Sequence, residues 1–186
     1  KINLIGVCTN KGMNAKHISK LHDFHYSTTD YNQIIKDKDI DLIIISTRHG
    51  NHGEYIFEGL KAGKYVYCEK PLTIVEEEVD KIMKICKTNP NFVLGYNRRF
   101  SSLSIKSRRI FRDRSSPLLI NYTINSSKLD KNHWVYDDVE GGGRIIGEMC
   151  HFIDFCSFII GSNCKSVYSK SLNSREDNFS TISYTD

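Results

Sequence analysis

The stretch YVYCEKPLT, residues 65–73, alternates apolar side chains and then ends in Glu69, Lys70 and Pro71. Proline has no amide hydrogen for a sheet ladder and fixes its own φ, so the strand must end there with the preceding residue held extended. Lys70 is therefore expected to project from the carboxyl edge of a strand, which in open α/β sheets is where ligands bind. An amine drawn out of water there falls toward a pKa useful for proton transfer. A second set follows Gly141, Gly142 and Gly143: Glu148, His151 and Asp154, spaced i, i+3, i+6. On a helix turning by about 100° per residue they present a shared but widening face. The spacing alone leaves two readings of His151 open, a proton-transfer group or a histidine hydrogen-bonded within the core. Thr47, Arg48, His49, Asn51 and His52 follow the run LIIIS at the same kind of edge. His49 and His52 lack a third nearby ligand, so no metal is assigned to them.

These side chains need elements to hold them. LIIIS, residues 42–46, is a continuous apolar, isoleucine-rich run of the kind found in parallel strands covered on both faces, and INLIGVC (2–8) and FVLGY (92–96) read alike. Helical patterns lie between them: GMNAKHISKLH, DYNQIIKDK, and NHGEYIFEGLKAG with Gly63 as its C-cap. Over 74–88, Val75, Val79, Ile82, Met83 and Cys86 line one face, while Glu76, Glu77 and Glu78 load the first turn, where the helix dipole favours negative charge. Strand and helix alternate to about residue 97, as in a doubly wound sheet. A dinucleotide fold opens with a strand, G-x-G-x-x-G and a helix, and residues 1–50 carry no such motif. Beyond GYNRRF come a basic helix at about 101–113, Pro117, LLINYTINSS, a helix around 141–160 and the alternating strands SVYSKSL and FSTISYT. The predicted fold is α/β. A truncated Rossmann-like parallel sheet lacking its first β-α unit occupies 1–97, and part of an α+β substrate or oligomerisation domain occupies 98–186.

The composition, 39% hydrophobic and 26% charged over 186 residues, is that of a globular chain. No run approaches the roughly 20 apolar residues of a membrane helix, and KINLIGVCTN lacks the pattern of a signal peptide. The expectations are no membrane partner and a cytoplasmic location. The six cysteines form no C-x-x-C pair and read as reduced, structural thiols. A net charge of +4 is small and scattered, and the densest basic stretch, KSRRIFRDR (106–114), reads as a solvated helix face. No nucleic-acid partner is expected.

Three stretches in order resemble the glucose-fructose oxidoreductase and inositol dehydrogenase family, Gfo/Idh/MocA. AGKYVYCEKPL (62–72) is similar to its A-G-K-x-V-x-x-E-K-P, VLGYNRRF (93–100) to its G-x-x-x-R-F, and EGGGRIIGEMCHFIDF (140–155) to its G-G-x-L-x-D-x-G-x-H-x-x-D. The resemblance covers nearly the whole chain. GVCTNKG and STRHGNH also resemble a subgroup in which this module is fused behind a zinc-type alcohol dehydrogenase domain. The resemblance implies that Lys70 lies beside a nicotinamide and the substrate hydroxyl, often with a cis peptide to proline, and that His151 is catalytic. The motif's Asp falls on Gly147 and its second Gly on Met149, which leaves Glu148 as the candidate replacement carboxylate. Thr47, Arg48, His52 and Glu69 are implied at the cofactor, His52 matching the His of T-P-x-x-x-H and Arg48 standing where that motif has proline. Tyr96, Arg98 and Asp154 are implied at the substrate, Arg99 and Phe100 as anchors.

Cofactor choice is set after the second strand of such a fold, where an acidic residue accepts from the ribose hydroxyls in NAD enzymes. Thr9, Asn10 and Lys11 stand there instead, which leans toward NADP within an NAD(P) assignment. The expected function is hydride transfer between that cofactor and a secondary hydroxyl or ketone of a sugar, nucleotide sugar or cyclitol, in a homo-oligomer. Two alternatives remain: a regulatory module that binds dinucleotide and sugar without turnover, favoured by the altered histidine motif, and glycoside cleavage through transient oxidation by the same residues.

Overall fold

The computed structural model describes residues 2–171 and 179–185, with side chains as far as Ser169. The chain divides into two compact units, Lys1–Thr47 with Asn51–Leu94, and Arg48–Gly50 with Gly95–Asp186.

In the first unit β1 (Gly6–Cys8), α1 (Gly12–His22), β2 (Tyr26–Thr28), α2 (Tyr31–Lys36), β3 (Leu42–Ile45), α3 (His52–Lys61), β4 (Tyr65–Cys68), α4 (Glu76–Thr88) and β5 (Phe92–Leu94) alternate, all but β2 as the periodicity predicts. Helical crossovers make every pairing parallel: β1 with β2, and β3, β4 and β5 in that order. β5 is shorter than its apolar run because its ladder partner β4 ends at Cys68, opposite Leu94. The three-residue strand β2 was not predicted; YST is too short to show a period.

The register sets Ile43, Val66 and Phe92, and then Ile45, Cys68 and Leu94, side by side on one face of β3–β4–β5. There they pack with Ile56 and Leu60 of α3 and Ile82 of α4 into the main core. The opposite face departs from the expectation of strands covered on both sides. Leu42, Ile44, Tyr65 and Val93 are 47%, 65%, 56% and 53% exposed, because α3 and α4 both lie over the other face. The N-terminus of α4 is set by Thr73, whose hydroxyl donates to Glu78 and accepts from the Val75 amide at 3.0 Å.

The second unit contains α5 (Ser102–Arg112), a helical segment with a π turn at Ile145–Met149 leading into α6 (Cys150–Ile160), and an antiparallel pair, β6 (Cys164–Ser171) with β7 (Phe179–Thr185). α6 stops at Gly161, whose φ of 82° suits glycine. LLINYTINSS runs without helix or strand. The basic helix α5 is not simply solvated: Arg108 donates to the Phe158 carbonyl and lies 4.7 Å over that residue's ring, placing a cation at the negative end of α6. Among the described residues no helix is long and apolar enough to cross a membrane.

Candidate active site

Lys70 stands half-buried just past the carboxyl end of β4, and its peptide to Pro71 is cis. The next carbonyl, that of Pro71, accepts from His52 Nδ1 at 2.7 Å, while His52 Nε2 lies 3.1 Å from the Thr47 carbonyl. This imidazole is wholly buried and ties the turn after Lys70 to the loop after β3. His52, implied at the cofactor, thus holds the backbone of both loops at this edge of the sheet. Glu69 is anchored through its amide to the Ile45 carbonyl at 2.9 Å, and its carboxylate accepts from the Tyr67 hydroxyl at 2.9 Å. That hydrogen bond, with partial burial, raises the Tyr67 pKa. After β1, the Thr9 hydroxyl donates to the Lys11 carbonyl at 2.8 Å, and Asn10 and Lys11 are exposed.

In the second unit Arg48 pairs with Glu140 and lies 5.4 Å over the Trp134 ring. Both line an open cleft of about 600 Å³ together with Lys131, His133, Tyr136 and Asp137. His49, 7% exposed, donates from Nδ1 to the Gly141 carbonyl at 2.8 Å and meets Trp134 edge-on, ring centres 4.8 Å apart. Gly50 gives its amide to the Glu140 carbonyl at 3.1 Å, so closely that a Cβ there would come within 1.9 Å of the Val139 carbonyl oxygen.

The helix carrying His151 is not a plain α-helix. Its π turn at Ile145–Met149 contains Glu148 and interrupts the even helical step on which the shared but widening face of Glu148, His151 and Asp154 was reckoned. Each has its own surroundings. Glu148 is drawn to Arg144, which donates to it at 2.9 and 3.1 Å and also reaches Ser126. The His151 ring stands 6.1 Å from that of Tyr96, tilted by 64°. Asp154, implied at the substrate, is 8% exposed and takes Arg99 through both oxygens, one contact being Nε to Oδ2 at 2.7 Å, so its charge is used inside the unit. Arg98 is exposed, stacks 4.8 Å over Phe152 and donates to the Tyr122 hydroxyl at 3.3 Å. The Tyr96 phenol is pushed up to about 12, chiefly by burial and then by Cys150 and Asp154, with Arg99 opposing. Sequence reasoning missed Arg144 and Trp134 and gave His49 no role. Gly147 was the available signal for His49, because a side chain there would collide with that ring.

A parallel α/β unit with a lysine and a cis-proline at the end of β4 is an NAD-binding fold of the oxidoreductase kind, and a family model described as "Oxidoreductase family, NAD-binding Rossmann fold" matches residues 1–96. The chain belongs to this family, GFO_IDH_MocA. It is 28% identical over 152 residues to the uncharacterized oxidoreductase YrbE of Bacillus subtilis, covering 80% of this chain and 44% of that protein. It is 30% identical over 131 residues to inositol 2-dehydrogenase of Rhizobium meliloti, covering 69% and 39%. A levoglucosan dehydrogenase solved in complex with NADH and levoglucosan superposes with a TM-score of 0.73 at 21% identity, over 92% of this chain and 48% of that one. The chain thus spans less than half the length of these relatives.

Proposed function

We propose that this chain forms the part of a nicotinamide-dependent oxidoreductase that transfers hydride between the cofactor and a secondary hydroxyl, or its ketone, of a sugar or cyclitol. The observation that carries this reading is Lys70, half-buried at the carboxyl end of β4 and fixed there by the buried His52–Pro71 contact. Inositol and levoglucosan, named with its relatives, are both small polyhydroxylated rings.

The donor set fits a dinucleotide. Thr9 and Asn10 offer hydroxyl and amide groups after β1 for ribose, Thr47 is exposed after β3, and no acidic side chain follows β1 to repel a ribose phosphate, which favours NADP. When bound, that group supplies the hydride acceptor. The residues handle the rest. The Lys70 amine takes the hydroxyl proton as the carbon gives up hydride, a transfer that needs a base within hydrogen-bond reach. His151 orients the reacting oxygen. The Tyr96 phenol, kept neutral well above physiological pH, serves as a donor and never as a competing anion. Arg98, an exposed cation, suits phosphorylated or nucleotide-linked sugars, and the second unit is the expected surface for self-association.

The test is nicotinamide absorbance with NADP⁺ and NAD⁺ against myo-inositol, levoglucosan and a panel of sugars. Reduction with at least one ring, faster with NADP⁺, is expected. Glycine at position 147, where the family motif has a carboxylate, favours the second reading, a regulatory module. Calorimetric binding of cofactor and sugar without any reduction would select it.

A further inference from the structure

We propose that His49 is a positioning residue for His151, clamping the glycine-rich start of the helix that carries it. The beginning of this helix is rich in glycine. Gly142 and Gly143 sit at φ 69° and 82°, and Gly147 lies in the middle of the π turn, four residues before His151. Glycine's freedom at such points leaves the helix start weakly specified by its own backbone. One buried side chain reaches both ends of the stretch. His49 Nδ1 donates to the Gly141 carbonyl at 2.8 Å, and the same ring is pressed against Gly147, where a Cβ would come 2.7 Å from Cε1 and 3.2 Å from Nδ1. The ring is fixed in turn, edge-on to Trp134. Its neighbours are docked as well, Arg48 by its pair with Glu140 and Gly50 by its amide to the Glu140 carbonyl.

The imidazole therefore stands in the space that a side chain at 147 would fill, on the turn before His151. It replaces intrahelical packing with packing from the segment after β3. The ring, which donates from Nδ1, acts here by its position and shape, so the contribution to turnover is geometric: displacing a reacting group by about 1 Å can cost around 10²-fold.

The turnover part of this inference rests on the oxidoreductase reading; the part about helix order does not, and the experiment separates them. His49→Asn keeps a donor where Nδ1 was and removes the ring that covers Gly147. Hydrogen exchange of the protein should show the amides of residues 143–151 opening about tenfold or more faster in His49→Asn, with α5 unchanged. Where an active substrate is found, kcat should fall by about 10- to 100-fold with KM little changed. Gly147→Ala, which forces the ring away, should lose kcat similarly, and His49→Ala/Gly147→Ala should recover part of that loss. Unchanged exchange at 143–151 in His49→Asn, or an increase spread evenly over the second unit, overturns the clamp. Faster local exchange with unaltered kcat in an active protein overturns the positioning of His151. A wild type inactive on every substrate defeats the oxidoreductase reading and still leaves the exchange result to decide the clamp.

Discussion

Replacing Arg99 by Met should be among the most damaging single changes in the second unit. Asp154 has a side chain only 6% exposed, and Arg99 meets both of its carboxylate oxygens. Taking the guanidinium away leaves a buried charge without compensation, a loss of about 3–5 kcal/mol for a fully buried pair. The Arg99 side chain is itself 39% exposed, so water screens part of the interaction and the lower end, about 3 kcal/mol, is expected. For a chain of this size that is roughly 6–12 °C in Tm. Arg99→Met with Asp154→Leu removes both charges and should return to within about 1 kcal/mol of the wild type. Circular dichroism melts and urea titrations at neutral pH measure both. A single variant within 1 kcal/mol of wild type, or a double variant as unstable as the single, would refute the reasoning. An Asp154→Asn protein with unchanged Tm and a raised KM would return Asp154 to the substrate.

Lys70→Ala should lower kcat by about 10² to 10⁴ while cofactor affinity, measured by calorimetry, stays nearly constant. An equal loss of cofactor binding would make Lys70 a positioning group. Glu148→Gln removes the charge facing Arg144, whose side chain is only 9% exposed, and should cost about 1 kcal/mol of stability while reducing turnover much less than His151→Ala. Equal turnover losses would make Glu148 the carboxylate partner of His151. Tyr96 keeps its proton to about pH 12 in the folded chain, whereas the unfolded chain releases it near 10. The native state then binds more protons, so stability falls as pH rises through that interval, and Tyr96→Phe should flatten the decline. A slope unchanged by Tyr96→Phe would contradict this, since Tyr26 and Tyr31, also pushed up to about 12, remain in both proteins.

Much of the first unit was legible because its signals are local. LIIIS and YVYC gave β3 and β4, the Val75–Cys86 spacing gave α4, and Pro71 marked the end of a strand. The rest depends on contacts between residues far apart in sequence. Nothing near Leu42 or Ile44 says which face α3 and α4 will cover. The partners of Asp154 and His49 stand 55 and 92 residues away. Glu148 illustrates the same limit: its displacement from the motif was visible, but not the pull of Arg144 within a π turn that changes its direction. The face of β3–β4–β5 bearing Leu42, Ile44, Tyr65 and Val93 lies opposite the one that α3 and α4 cover.

Four large apolar side chains on adjacent parallel strands make one continuous adhesive surface, where scattered ones would be harmless. Left in water, such a surface makes the chain's behaviour a matter of concentration. Dilute solutions should bind an apolar dye strongly, concentrated ones should trade that signal for growing particle size, and mild detergent should reverse the change. Leu42→Lys with Ile44→Glu would alter neither the core face nor Lys70, yet should abolish this stickiness.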